Sequence, residues 1–97
     1  MKTILSQSGV TSDNKKVISG IYKIFESHGI PLDIIFSILK EKNVIPDWID
    51  FYRSARKVGM SHDRIISKLE EAINDSYGKE FGIQVIYNLN LIFRVTI

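Results

Sequence analysis

From about residue 13 to residue 78 the apolar positions recur every three or four residues, and glycines and prolines divide them into four segments. Val17, Ile18, Ile21, Tyr22 and Phe25 share one face of a first helix. It starts after Ser12 or Asp13, either of which can accept free amide hydrogens as an N-cap, and stops at Gly29. Pro31 sits where the first turn of a second helix tolerates it, and Leu32, Ile34, Ile35, Ile38 and Leu39 supply the apolar face. Lys40 and Lys42 fall near its end, where the helix dipole favours cations. Pro46 repeats the device for a third helix carrying Trp48, Ile49, Phe51, Tyr52, Ala55 and Val58, closed by Gly59. Ser61 reads as the N-cap of a fourth, with Met60 and Ile65 placed to close as a hydrophobic staple. Ile65, Ile66, Leu69, Ala72 and Ile73 form its stripe, and Gly78 stops it.

The period then changes. Every odd position from Ile83 to Ile97 is apolar, and the even ones are mostly polar, with Ile86 and Ile92 as exceptions. That alternation favours strand, folded as a hairpin around Asn88-Leu89-Asn90. The rival is a fifth helix burying Phe81, Val85, Leu89 and Ile92. Residues 1–12, polar and turn-rich after Leu5, read as a flexible arm or a short edge strand. The expected architecture is a single, mainly α domain over residues 13–97. It has four helices and a C-terminal β-hairpin, the alternative being all-α with five helices.

Ninety-seven residues hold one core, and 44% apolar with 25% charged residues is an ordinary globular balance. The absence of cysteine removes disulfides and thiolate metal sites and fits a reducing compartment. The N-terminus has no apolar core of signal-peptide length, and no run approaches the roughly 20 apolar residues of a membrane span. The expectation is a cytoplasmic protein without a membrane partner. Net charge is only +2, but it is unevenly spread. Arg53, Arg56, Lys57, Arg64 and Lys68 face the single acid Asp63 between Phe51 and Lys68, and the next segment reverses sign with Glu70, Glu71, Asp75 and Glu80.

Within that basic stretch, Ala55 is a small residue that lets a second helix cross closely, and Gly59 stands four residues later for a tight turn. Val58 and Met60 flank the glycine to pin the turn onto the core. Ser61 caps the second helix and Ile65 is its buried branched aliphatic residue. Phe51 to Leu69 thus resembles the helix-turn-helix of bacterial and phage regulators. It departs from that pattern at Ser54 and Lys68, where the family usually buries apolar side chains, with Leu69 and Ile66 placed to compensate by a slight rotation.

The resemblance implies that the second helix enters the major groove N-terminus first, presenting His62, Asp63, Arg64, Ser67 and Lys68. Arg64 would make the bidentate guanine contact, and Lys68, Arg53, Arg56 and Lys57 would hold phosphates. A hairpin after that helix would make the fold winged-helix-like, with Arg94 near the minor groove or backbone. The implied function is a small DNA-binding regulator of phage or mobile-element type, acting as a homodimer through an apolar C-terminal edge. The alternative is a protein-interaction module that presents Trp48, Phe51 and Tyr52 to a protein partner.

Enzyme templates fail on residues they require. Ser61-His62-Asp63 has the letters of a catalytic triad, but neighbours on a helix point about 100° apart. His28 and His62 are distant in the sequence with no cysteine between them, so no zinc-ligand spacing occurs, and Gly78-Lys79 lacks the rest of a phosphate loop. No enzyme activity, metal or cofactor is expected.

Overall fold

The computed structural model describes residues 5–93. Strands β1 (Ser6–Val10) and β2 (Lys16–Ser19) form an antiparallel hairpin, with Ser6 opposite Ser19, Val10 opposite Lys16 and a bulge between Gln7 and Gly9. Thr11 ties the connection, donating its N–H to the Lys15 carbonyl (2.8 Å) and accepting the Lys15 N–H on Oγ1 (3.0 Å). Of the two expectations for residues 1–12, the edge strand is the one seen, from Ser6 onward. The first helix begins later than Ser12 or Asp13. Val17 and Ile18 are spaced helically from Ile21 and Tyr22, but Gly20 intervenes with φ 93 and separates β2 from helix α1 (Ile21–His28).

Helix α2 (Leu32–Glu41) leads into a two-residue strand, β3 (Ile45–Pro46), which lies parallel to β2 in the order β1-β2-β3. Pro46, expected in a first helical turn, therefore ends a strand. It has no N–H to donate, and the Asp47 N–H continues the ladder to the Ile18 carbonyl at 2.7 Å. Helix α3 (Trp48–Lys57) starts on Asp47, whose carboxylate accepts the Asp50 N–H. Helix α4 (His62–Ser76) and helix α5 (Lys79–Phe93) follow and complete the described residues.

Helix α4 is the centre of the core, packed against both α2 and α5. Its Ile65, Leu69 and Ile73 are fully buried, as are Phe36 of α2, Phe51 of α3, Ile21 of α1 and Leu89 of α5. Each such side chain contributes about 1.5–3 kcal/mol of burial. Buried Ser76 satisfies its hydroxyl on the Ala72 carbonyl (2.6 Å), and Lys40 Nζ reaches the Ser76 carbonyl at the end of α4 (3.1 Å).

The tail corrects the main expectation for residues 82–97. Over its described part it is helix α5, and no C-terminal hairpin or wing is present among the described residues; Arg94 lies outside them. The alternation was real, but Gly82, Val85, Ile86 and Leu89 also recur at helical spacing and are the residues buried against α4. Gly82 allows the close approach, since a Cβ there would overlap Asn74 Oδ1 and lie 3.4 Å from Ile73 Cγ2. Apolar residues on the other side of α5 are left outside: Ile83, Tyr87 and Leu91 are 60%, 62% and 47% exposed.

Candidate nucleic-acid interface

The α3–α4 pair is built on Ala55 and Ile65, both at 0% exposure where the two helices meet. Between them the chain turns at Gly59, whose φ of 96 costs glycine little and a side-chain-bearing residue about 1–2 kcal/mol. The turn is closed by Gly59 N–H to the Arg56 carbonyl (3.0 Å) and Met60 N–H to the Ala55 carbonyl (3.1 Å). Ser61 then caps α4 by accepting the Arg64 N–H at 3.3 Å. Met60 packs on the core, whereas Val58 is 59% exposed and does not pin the turn. Ser54 is half-buried, and Leu69 takes the fully buried place that Lys68 does not.

Of the residues expected to face DNA, Arg53, Arg56 and Lys57 are exposed on α3, and Arg64 and Ser67 on α4. Arg56 Nη1 donates to the Met60 carbonyl at 3.3 Å, which holds its guanidinium over the turn. Among the described residues no carboxylate lies within 4.0 Å of Arg53, Arg56, Lys57 or Arg64; the ion pair present joins Lys15 to Asp13. Arg56 and Lys57 close α3, Arg64 lies in the first turn of α4, and Arg53 stands one turn back on α3. Farther along α4 the exposed residues are Glu70, Glu71 and Asp75.

His62 departs from its expected place, and Lys68 is drawn into a cleft. His62 is half-buried, with Nδ1 2.8 Å from Tyr52 Oη and Nε2 2.9 Å from Asn90 Oδ1. Asn90 Oδ1 accepts, so Nε2 carries the proton and Nδ1 accepts from the Tyr52 hydroxyl. Both ring nitrogens are thus engaged in joining α3, α4 and α5, and neither faces outward toward a base. Lys68 is half-buried, its Nζ 5.7 Å from the Phe25 ring centroid, in a cleft that also holds Asp33, Glu71 and Asp75. Lys68 stands one turn beyond Arg64 on α4, beside these carboxylates.

The expected aromatic docking face is core. Phe51 and Tyr52 are 1% and 4% exposed, and Trp48 is half-buried, edge-on to Phe36 at 5.2 Å. Tyr52 stacks on Phe93 at 4.0 Å. Beside Trp48 runs a groove of about 510 Å³ between the sheet, the start of α3 and α5. Val17, Pro46, Phe81, Val85 and Leu89 line it, with Thr11, Asp47, Gln84 and Asn88 as its polar groups. The Asp47 carboxylate is already engaged by Ser8 Oγ (2.8 Å) and the Asp50 N–H (3.0 Å). Pairing of Tyr52 and Asn90 with His62 had no sequence signal, because it depends on α5 returning antiparallel to α4.

Among the described residues no three His, Asp or Glu side chains converge as metal ligands would, and no helix is long and apolar enough to cross a membrane. Comparisons with protein-family models, with curated proteins and with solved structures return no match to this chain.

Proposed function

We propose that the chain is a small DNA-binding protein of helix-turn-helix type, a regulator that presents the first turns of α4 to the major groove. The observation that carries this reading is the set of four exposed cations without a carboxylate within 4.0 Å among the described residues: Arg56 and Lys57 at the end of α3, Arg64 in the first turn of α4, and Arg53 one turn back on α3. Unpaired cations on one edge match a phosphate backbone, and the positive end of the α4 dipole points the same way. Arg64 and Ser67 stand on the outward face to read bases, and Arg53, Arg56 and Lys57 hold phosphates. A cytoplasmic location, where DNA is accessible, goes with this role.

The test is selection from a random pool of short duplexes at two salt concentrations. Three phosphate contacts give a slope of log affinity against log salt of about −2.7, roughly a 40-fold loss between about 50 and about 200 mM salt. Arg64→Ala should cost about 1–3 kcal/mol and relax preference at one base pair, whereas Lys57→Ala should weaken all sequences alike and reduce the slope by about 1. No binding at low salt by folded protein refutes the proposal.

A second reading, a protein-interaction module, is favoured by one observation: Ile83, Tyr87 and Leu91 are exposed on the outer face of α5. It relocates the docking surface from Trp48, Phe51 and Tyr52 to α5.

A further inference from the structure

We infer that α5 is a homodimerisation helix, on which two copies of this chain pair antiparallel about a two-fold axis near Tyr87. Ile83, Tyr87 and Leu91 are spaced four apart, so they share one side of the helix, away from the side that Val85, Ile86 and Leu89 bury against α4. Alongside this ridge lies the 510 Å³ groove floored by Trp48 and Pro46, with Ile49 exposed at its margin. Ridge and groove therefore occur side by side on one surface. A two-fold interface requires that arrangement, because each copy must offer the projection that fills the other's recess.

The charge pattern selects a second copy over an unlike partner. A quarter of the chain is charged, yet no charged residue occurs from Phe81 to Phe93. The polar groups between ridge and groove are Gln84 and Asn88, whose amides both donate and accept and so can be satisfied by their own symmetry mates. The one carboxylate lining the groove, Asp47, accepts from Ser8 Oγ and the Asp50 N–H. Antiparallel pairing also opposes the two helix dipoles and sets Lys79 and Glu80 of one copy by the far end of the other. An interface of standard size needs about 800 Å² from each partner. The ridge alone is a single helix face; the groove extends the apolar surface from α5 to Ile45 and Ile49.

This inference stands independently of DNA binding, and its test contains no DNA. Sedimentation equilibrium from about 1 µM to about 1 mM should show the mass rise from one chain to two. Tyr87→Glu sets two carboxylates together near the axis and should weaken pairing at least about 10-fold. Because Tyr87 is exposed in one chain, circular dichroism and the urea midpoint should stay unchanged at concentrations where the wild type is a monomer. Ile83→Lys provides the same disruption at a second position should Tyr87→Glu fail to fold. In this cysteine-free chain, Tyr87→Cys should form a disulfide-linked dimer on mild oxidation well ahead of Glu70→Cys, which lies on α4. A one-chain mass at every concentration, or association that neither ridge variant weakens, overturns the inference and assigns the face to a different partner.

Discussion

Replacing His62 separates a structural role from a DNA-contacting one. In His62→Ala the Tyr52 hydroxyl, on a side chain only 4% exposed, loses its partner at 2.8 Å, which costs about 1–3 kcal/mol. Loss of the edge-on ring contact at 5.5 Å adds about 0.5–1 kcal/mol, so a net destabilisation of about 2–3 kcal/mol is expected. Tyr52→Phe removes only the donor and leaves Nδ1 of a half-exposed ring to water, at about 1 kcal/mol. In the double variant the stranded hydroxyl is gone, so the two effects should fall short of additivity by about 1 kcal/mol. Urea unfolding followed by circular dichroism measures this. With a slope of about 1–3 kcal/mol per M, 2 kcal/mol lowers the midpoint by about 0.7–2 M. Arg64→Ala, on the exposed face, should move stability by no more than about 0.5 kcal/mol. A His62→Ala midpoint equal to wild type, or strict additivity with Tyr52→Phe, would show that the bridge from α3 through α4 to α5 carries no energy.

Two further predictions probe the packing of α5 and the aromatic cluster. Gly82→Ala gains about 1 kcal/mol in helix propensity but drives a Cβ into Asn74 Oδ1, a buried oxygen without a hydrogen-bond partner. Asn74 must swing aside, so the gain should fall below about 1 kcal/mol in the wild-type background and reach it when Asn74→Ala is already present; equal effects in the two backgrounds would contradict the close α4–α5 approach. Burial raises the Tyr77 phenol to about 12, and its hydroxyl donates to the Val44 carbonyl at 3.3 Å. Its folded pKa lies above the unfolded value of about 10, so its contribution is complete below about pH 10 and is lost as pH rises toward 12. Tyr77 is partly exposed, which screens the effect to about 1 kcal/mol. The urea midpoint should decline above about pH 10 and decline less in Tyr77→Phe, with burial of Tyr22 adding in the same direction. A decline that Tyr77→Phe leaves unaltered would remove Tyr77 as its source.

Much of the helical framework was legible because single residues mark its boundaries. Gly29, Pro31, Gly59, Ser61 and Gly78 lie within two residues of the observed helix ends, and the stripe of α4 falls largely on the predicted residues, whereas α2 buries Leu32, Ile35, Phe36 and Leu39 and leaves Ile34 and Ile38 exposed. Two errors came from periods that fit more than one element. Val17 and Ile18 continue a helical spacing, but their register with Ile45 and Pro46 is a long-range pairing invisible to any local window. In α5 the odd-position alternation and the helical stripe share Val85 and Leu89, so the choice was made by α4, which offers a groove for Gly82, Val85, Ile86 and Leu89. For the candidate site, the exposed cations of α3 and Arg64 were readable from the charge asymmetry. His62 and Lys68 were not, since their directions depend on α5 and on Phe25 of α1.

The α3–α4 hairpin is a shape that many folds contain, and charge left outside after packing is what distinguishes its ends. Helix α4 turns Ile65, Leu69, Ala72, Ile73 and Ser76 inward, so its outward side reads Asp63, Arg64, Ser67, Glu70, Glu71 and Asp75. With Arg53, Arg56 and Lys57 beside the turn, the N-terminal end of that surface is basic and the far end acidic. On a duplex the acidic end is repelled by phosphate, so α4 would lie tilted, touching bases through its first two turns only. Base reading would then fall to Arg64 and Ser67, and a good bidentate contact discriminates by about 1–3 kcal/mol. Specific sites commonly exceed non-specific binding by about 4–10 kcal/mol, more than one such contact provides. A two-fold pair doubles the contacts, so a DNA-binding role and the pairing inferred for α5 would reinforce each other. If selection enriches a motif, it should be an inverted repeat, and Tyr87→Glu should reduce recognition to a single half-site.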